Sequence, residues 1–118
     1  MMSNAELGAR GEAFAALFLV EAGMEIVDRN WRCRYGELDI VARDGDTMVF
    51  VEVKTRSGVK YGTPAESVTP VKRARIRALA LAWLQKHEYP WVRMRFDVVA
   101  ILMTRDGDPV VSHLKAVF

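Results

Sequence analysis

The sequence predicts a mixed α/β domain in which one β-sheet is flanked by helices. Three observations predict it. Two helix-like runs each open on a capping pattern, strand-like runs alternate around an Asp-Gly turn between them, and a further strand-like run follows the second helix. At 118 residues the chain fits one domain, 1–118, since a chain of this size buries enough surface for a single core.

Ser3 followed by Glu6 fits a Ser-x-x-Glu capping box, and Gly23 closes the run Ala5 to Ala22 as a helix stop. Ile26 to Val41 is extended in character, with β-branched and aromatic residues and a break at Tyr35-Gly36, so two strands are expected there. Glu37 to Arg43 and Thr47 to Thr55 flank Asp44-Gly45-Asp46 and predict a hairpin, with Val49, Val51 and Val53 on one apolar face. From Arg56 to Val68 the pattern lapses and Gly58, Gly62 and Pro64 predict a loop with a short helical turn after Pro64. Thr69-Pro70 opens a second helix running to about His87, with Ile76, Leu79, Ala80, Trp83 and Leu84 as its apolar stripe. Val92 to Met103 and Val110 to Phe118 predict the last two strands, separated by Asp106-Gly107-Asp108-Pro109.

Composition excludes several classes. A hydrophobic share of 51% with a net charge of +2 does not suit a disordered chain. The longest apolar run, Ala13 to Val20, is far short of the ~20 residues of a membrane span. The early residues lack the basic region of a signal peptide, so a cytoplasmic protein with no membrane partner is expected. One cysteine, Cys33, leaves no internal disulfide framework and no cysteine-rich zinc site. Charge is uneven: Lys54 to Arg77 carries seven basic residues against Glu66, a net +6, which leaves −4 for the remainder. Such a stretch steers polyanions or simply solvates a helix face.

Three acids and a lysine stand where charge is expensive. Asp39 is bracketed by Leu38, Ile40 and Val41, while Glu52 and Lys54 interrupt an otherwise apolar strand. Alternation puts Glu52 and Lys54 on one face and Val51, Val53 and Thr55 on the other. If Asp44-Gly45 forms the turn, paired residue numbers sum to 89, Asp39 faces Phe50 and Glu37 opposes Glu52. A register summing to 91 puts Asp39 directly opposite Glu52, whereas one summing to 90 sends the two to opposite faces unless a bulge restores the parity. Like charges across a hairpin repel, so a compensating hard divalent cation, Mg²⁺ or Mn²⁺, is the natural candidate. Lys54 would then assist the attacking water in phosphodiester hydrolysis. Glu12, with Ala15, Ala16 and Leu19 at its helical spacings, has two readings: a third acid over the sheet, or a surface carboxylate favoured by the helix dipole.

Gly36-Glu37-Leu38-Asp39-Ile40-Val41, Val51-Glu52-Val53-Lys54-Thr55-Arg56 and Thr69-Pro70-Val71-Lys72-Arg73 together resemble the YraN family, over about Asn4 to Phe118. That family is similar to PD-(D/E)XK nucleases of the restriction-endonuclease-like type, and especially to archaeal Holliday junction resolvases. The resemblance implies an αβββαβ core, a mixed sheet flanked by helices. It places Asp39 at the metal-binding aspartate, Glu52 and Lys54 at the acid and lysine, and Glu12 at the first-helix glutamate. Leu38 replaces the proline of the motif.

The leading expectation is therefore a metal-dependent endonuclease acting on DNA, with branched or structured DNA as a candidate substrate. Asp39, Glu52 and Glu12 would be metal ligands, and Lys54 would join them in catalysis. Arg56, Lys72, Arg73, Arg75 and Arg77 would contact nucleic acid. Two other classes compete: a catalytically silent nucleic-acid-binding module, and a protein-interaction domain using apolar helix faces. A homodimer would suit a nuclease that must cut two strands. Asp97 is expected to pair with Arg93, Arg95 or a helix arginine, and His87 and His113 to have no functional role. Trp31, Tyr35 and Tyr61 are near enough to the acidic or basic motifs to stack on an unpaired base, with packing the better reading for Trp31.

Overall fold

The computed structural model describes residues 3–57, 69–90, 92–104 and 108–117. The expected helical turn after Pro64, and Lys60, Tyr61, Glu66 and the Asp106-Gly107 pair, lie outside the described residues.

Helix α1 spans Asn4–Glu21. Ser3 caps it by accepting the Glu6 N–H on its hydroxyl oxygen at 3.1 Å, and Gly23 follows at φ +97°. Strands β1 (Glu25–Cys33), β2 (Gly36–Asp44) and β3 (Thr47–Arg56) come next, then α2 (Pro70–Lys86), β4 (Arg93–Leu102) and β5 (Val110–Leu114). Thr69 caps α2 through the Lys72 N–H, and Pro70 occupies its first turn. The final strand is shorter than the expected run to Phe118: Ala116 has φ +53°, and its N–H bonds the Asp97 side chain instead of a ladder partner.

The five strands lie in chain order. β1–β2, β2–β3 and β4–β5 are antiparallel, and β3–β4 is parallel because α2 carries the chain across the sheet between them. One face is covered by α1, with Ala15, Ala16 and Leu19 packed on Ile40, Val49, Val51 and Val99. The other is covered by α2, whose expected stripe of Ile76, Leu79, Ala80, Trp83 and Leu84 is buried on Val41, Phe50 and Phe96. Trp31 packs partly against this second cluster.

The hairpin turn is Gly45-Asp46 rather than Asp44-Gly45. Gly45 takes φ +63°, Asp44 pairs with Thr47, and paired numbers sum to 91. Asp44 is kept in the strand by Arg95, whose Nη1 donates to Asp44 Oδ2 at 2.9 Å. The same guanidinium fastens Asp97, which is fully buried, through two bonds of 3.0 Å. Burial alone would raise the Asp97 pKa, but Arg95, the Ala116 amide and His113 outweigh it and hold the carboxyl below its ordinary value. His113, which no acid approaches in sequence, therefore has a structural partner after all, Asp97 at 2.8 Å on the neighbouring strand.

Helix α1 approaches β3 so closely that a Cβ on Gly11 would lie 1.8 Å from Thr55 Oγ1 and 2.8 Å from Thr55 Cβ. No rotamer of Thr55 clears the second contact, so any larger residue must lift the helix. Gly8, one turn earlier, has nothing within 4 Å of such a Cβ. Gly11→Ala should lower unfolding stability by roughly 1–3 kcal/mol in denaturant titrations despite alanine's better helix propensity. Gly8→Ala should be neutral or stabilising, and equal stability of the two variants would contradict this packing.

Candidate active site

The β2–β3 ladder stops at the pair Ile40–Val51, while the β1–β2 ladder continues through Trp31–Leu38 and Arg32–Glu37 to Cys33–Gly36. At Asp39, therefore, β2 parts from β3. Face assignments record the break: Ile40 and Ala42 pack under α1, yet Leu38, two residues before Ile40, packs under α2. Opposite Asp39 in the β1 register stands Asn30 at φ +53°, a conformation that asparagine tolerates better than most residues. The change of face between Leu38 and Ile40 thus falls at the level where β1 holds Asn30 in the left-handed region.

The Asp39 carboxylate fills the fork. Its Oδ2 accepts the Val53 N–H at 2.8 Å, supplying the partner that β2 withdraws. The same register brings Glu52 to the level of Asp39 on β3. On the other side of the fork lie Glu12 from α1 and Glu37 from β2, whose carboxylates and that of Asp39 each place an oxygen within 4.8 Å of the other two. Of the two readings of Glu12, the structure has the one over the sheet: Ala15, Ala16 and Leu19 are the buried stripe of α1, and Glu12 lies on that side.

Burial, then Glu52, pushes the Asp39 pKa up to about 8, with Glu12 and Glu37 adding to the effect against the Val53 bond. Glu12 is raised as well, by burial and by Glu37, and is held down in part by a hydrogen bond with Asp39. With a pKa pushed up to about 8, Asp39 favours its neutral form at neutral pH. Neutral and cationic donors offset the rest. Turned with its nitrogen inward, the Asn30 amide donates to Glu12 Oε1 at 2.9 Å and Glu37 Oε1 at 3.0 Å. Arg32 Nε lies 3.2 Å from Glu37 Oε2.

Glu52 is held by two ammonium groups, Lys54 at 3.4 Å and Lys72 at 3.3 Å. Burial, contact with Lys72 and the Lys72 charge lower the Lys54 pKa against the pull of Glu52. Burial also acts to lower Lys72, but Lys54 and Glu52 outweigh it and raise the value. Lys72 is thus the better cation of the pair and Lys54 the readier amine. The Lys72 side chain, expected to contact nucleic acid, stands beside Glu52 and Lys54.

The other basic residues expected to contact nucleic acid lie on α2 and at the end of β3. Arg77 lies over the Phe96 ring, 5.3 Å from its centroid, and Arg75 runs its stem along Gly36 at the start of β2. Arg56 ends β3, where its carbonyl accepts the Met103 N–H at 2.7 Å, and Arg73 is half-buried on α2. Glu12, Asp39 and Lys54 line one cleft of about 820 Å³ between the start of α1, the β1–β2 hairpin and the end of β3, with Asn30, Arg32 and Glu37.

Three carboxylates that each place an oxygen within 4.8 Å of the other two form a donor set that could hold a hard divalent cation. Sequence reasoning set Glu37 opposite Glu52 in one register without making it a metal ligand, and did not bring Asn30 to this group. Glu37-x-Asp39 alternation was the available signal for the first, and an asparagine in a strand facing an acid the weaker one for the second.

The class of protein is that of an α/β domain with a restriction-endonuclease-like αβββαβ core whose central strands fork around carboxylates. Within that class the chain belongs to the family described as Uncharacterised protein family UPF0102, which matches residues 11–101 and accords with the resemblance to the YraN family. It is 65% identical over 112 residues to a UPF0102 protein of Nocardia farcinica, covering 95% of this chain and 88% of that one. A UPF0102 protein of Rhodococcus opacus is 56% identical over the full length of both, and one of Mycolicibacterium smegmatis is 50% identical over 98% of this chain and 95% of its own. Among the described residues no helix is long and apolar enough to cross a membrane.

Because the folded protein holds a proton on Asp39 that the unfolded chain releases near pH 4, stability contributed there is full below that pH and is lost as pH rises toward about 8. In EDTA, the melting temperature of the wild type should fall between pH 5 and pH 8, and Asp39→Asn should remove most of that fall. Parallel pH profiles for the two proteins would show that Asp39 is not the strained group.

Proposed function

We propose that this protein is a metal-dependent endonuclease that hydrolyses phosphodiester bonds in DNA, branched or structured DNA in particular. The observation that carries the reading is the meeting, at one fork in the sheet, of the carboxylates of Glu12, Glu37, Asp39 and Glu52 with an amine of lowered pKa, Lys54.

Glu12, Glu37 and Asp39 would hold Mg²⁺ or Mn²⁺, while Glu52, also expected as a ligand, lies between Lys54 and Lys72. Such an ion, when bound, supplies Lewis-acid stabilisation of charge on the phosphate oxygens. The chain's own groups do the rest. Glu52 orients Lys54, and burial together with Lys72 beside it lowers the Lys54 pKa. Lys54, in its amine form, accepts the proton that the attacking water loses as its oxygen bonds to phosphorus, and the leaving oxygen takes a proton from solvent as its bond to phosphorus breaks. Lys72 keeps its charge and faces the phosphate. Asn30 and Arg32 fix the carboxylates in place, so the site is set before substrate arrives.

The test is cleavage of end-labelled four-way junction, flap, single-stranded and duplex DNA with Mg²⁺ or Mn²⁺. Wild type should cut at least one of these, and Glu52→Gln and Lys54→Ala, folded as judged by circular dichroism, should lose about 10²- to 10⁴-fold in rate. Cutting that survives both substitutions would remove the assigned chemistry. No cutting, with junction binding that survives both, would replace the nuclease by a silent DNA-binding module.

A further inference from the structure

Beyond Asp39 the β1–β2 hairpin leaves the rest of the sheet. Its last pairs, Trp31–Leu38, Arg32–Glu37 and Cys33–Gly36, extend past the end of the β2–β3 ladder, and its two-residue tip is Arg34-Tyr35. Neither turn chemistry nor packing accounts for these residues. Tight turns favour Gly, Asn, Asp, Ser and Pro, and here the glycine, Gly36 at φ +143°, only follows the tip. Tyr35 is 60% exposed, the most exposed aromatic side chain among the described residues, whereas Trp31 on the same hairpin packs against the α2 cluster.

The ring is nonetheless held. Arg34 donates to the Tyr35 hydroxyl, and its guanidinium carbon lies 4.8 Å from the ring centroid. A hollow of about 550 Å³ at the tip, lined by Arg34, Tyr35 and Gly36, shares Arg32 and Glu37 with the catalytic cleft. Arg75 on α2 reaches the same place, its Cδ 3.8 Å from where a Cβ of Gly36 would stand. The aromatic face thus lies beside Arg32 and Arg34, near Arg75, and two residues from Glu37, whose carboxylate belongs to the acidic site. Two residues of extended chain span about 7 Å, the reach of roughly one or two nucleotides.

We propose that Tyr35, held by Arg34, is a stacking post for an unpaired base, so that the substrate class is DNA with unpaired nucleotides beside the cut, as in flaps, gaps or opened junctions, rather than continuous duplex. This rests on the nuclease reading of the neighbouring carboxylates. Every base offers a π-face, but in an intact duplex both faces are already stacked, and only an unpaired nucleotide reaches the ring without the cost of unstacking. Arg32, Arg34 and Arg75 contact the phosphates on either side of that base.

Binding in EDTA separates this claim from cleavage. A short single-stranded oligonucleotide carrying 2-aminopurine and a blunt duplex of the same sequence are titrated with wild type, Tyr35→Ala and Tyr35→Phe, each checked for an unchanged melting temperature. Wild type should bind the single strand more tightly and quench 2-aminopurine. Tyr35→Ala should lose about 5- to 150-fold in single-strand affinity together with the quenching, as expected for one base stack. Duplex affinity should not move, and Tyr35→Phe should behave as wild type because stacking needs the ring alone. Unchanged single-strand binding by Tyr35→Ala, or an equal loss on both DNAs, overturns the stacking post, and DNA cleavage by that same variant would leave the nuclease reading intact. If no DNA binds in any form, both readings fall together.

Discussion

One hydrogen bond, from the Val53 N–H to the Asp39 carboxylate, lets β2 leave β3 without stranding a backbone donor inside the protein. Where the ladder ends, an apolar residue at position 39 would leave that donor unpaired, at a cost of about 1–3 kcal/mol. The side chain therefore does structural work that places it at the fork, with Glu52 on one side and Glu12 and Glu37 on the other. From the same fork follow the tilt of the β1–β2 hairpin, the position of Arg32 and Asn30, and the opening of the cleft beside α1. Gly11 completes the arrangement, since only a residue without a Cβ lets α1 lie close enough on Thr55 to set Glu12 over that opening.

The sheet contains a second acidic centre, and the contrast between the two is instructive. Asp97 is fully buried, yet Arg95, His113 and the Ala116 amide meet it with fitted donors, and its pKa is lowered. Asp39 is less buried but faces three carboxylates, and its pKa is raised to about 8. The fold thus satisfies the carboxylate that holds β4, β5 and the chain end together and leaves the other short of positive charge. A carboxyl whose pKa is raised by burial and neighbouring charge in a cleft is a candidate functional group, which supports the proposed chemistry.

Much of this was legible in the sequence because it depends on local rules. Ser3 and Thr69-Pro70 announced both helices, the stripe from Ile76 to Leu84 announced the face of α2, and Val49, Val51 and Val53 announced the face of β3. What was not legible depends on pairing across the sheet. The turn slipped by one residue, from Asp44-Gly45 to Gly45-Asp46, because Asp44 finds Arg95, 51 positions away in sequence. The sum-91 register was one of the alternatives read, but the change of face at Asp39 needs Asn30 in a left-handed conformation on another strand, which no local pattern in β2 contains. Lys72 looked like part of a basic helix start, and only the crossover of α2 brings it to Glu52. His113 looked isolated because Asp97 meets it across a β4–β5 pairing.

The proposed ion site at the Asp39 fork is tested most directly by calorimetric titration of the metal-free protein with Mn²⁺ at pH 6, below the raised Asp39 pKa of about 8, and at pH 8, with proton release followed in buffers of different ionisation enthalpy. The account predicts saturable binding that displaces close to one proton at pH 6 and fewer at pH 8, lost in Asp39→Asn. Binding without proton release, or binding of equal strength in Asp39→Asn, would contradict it.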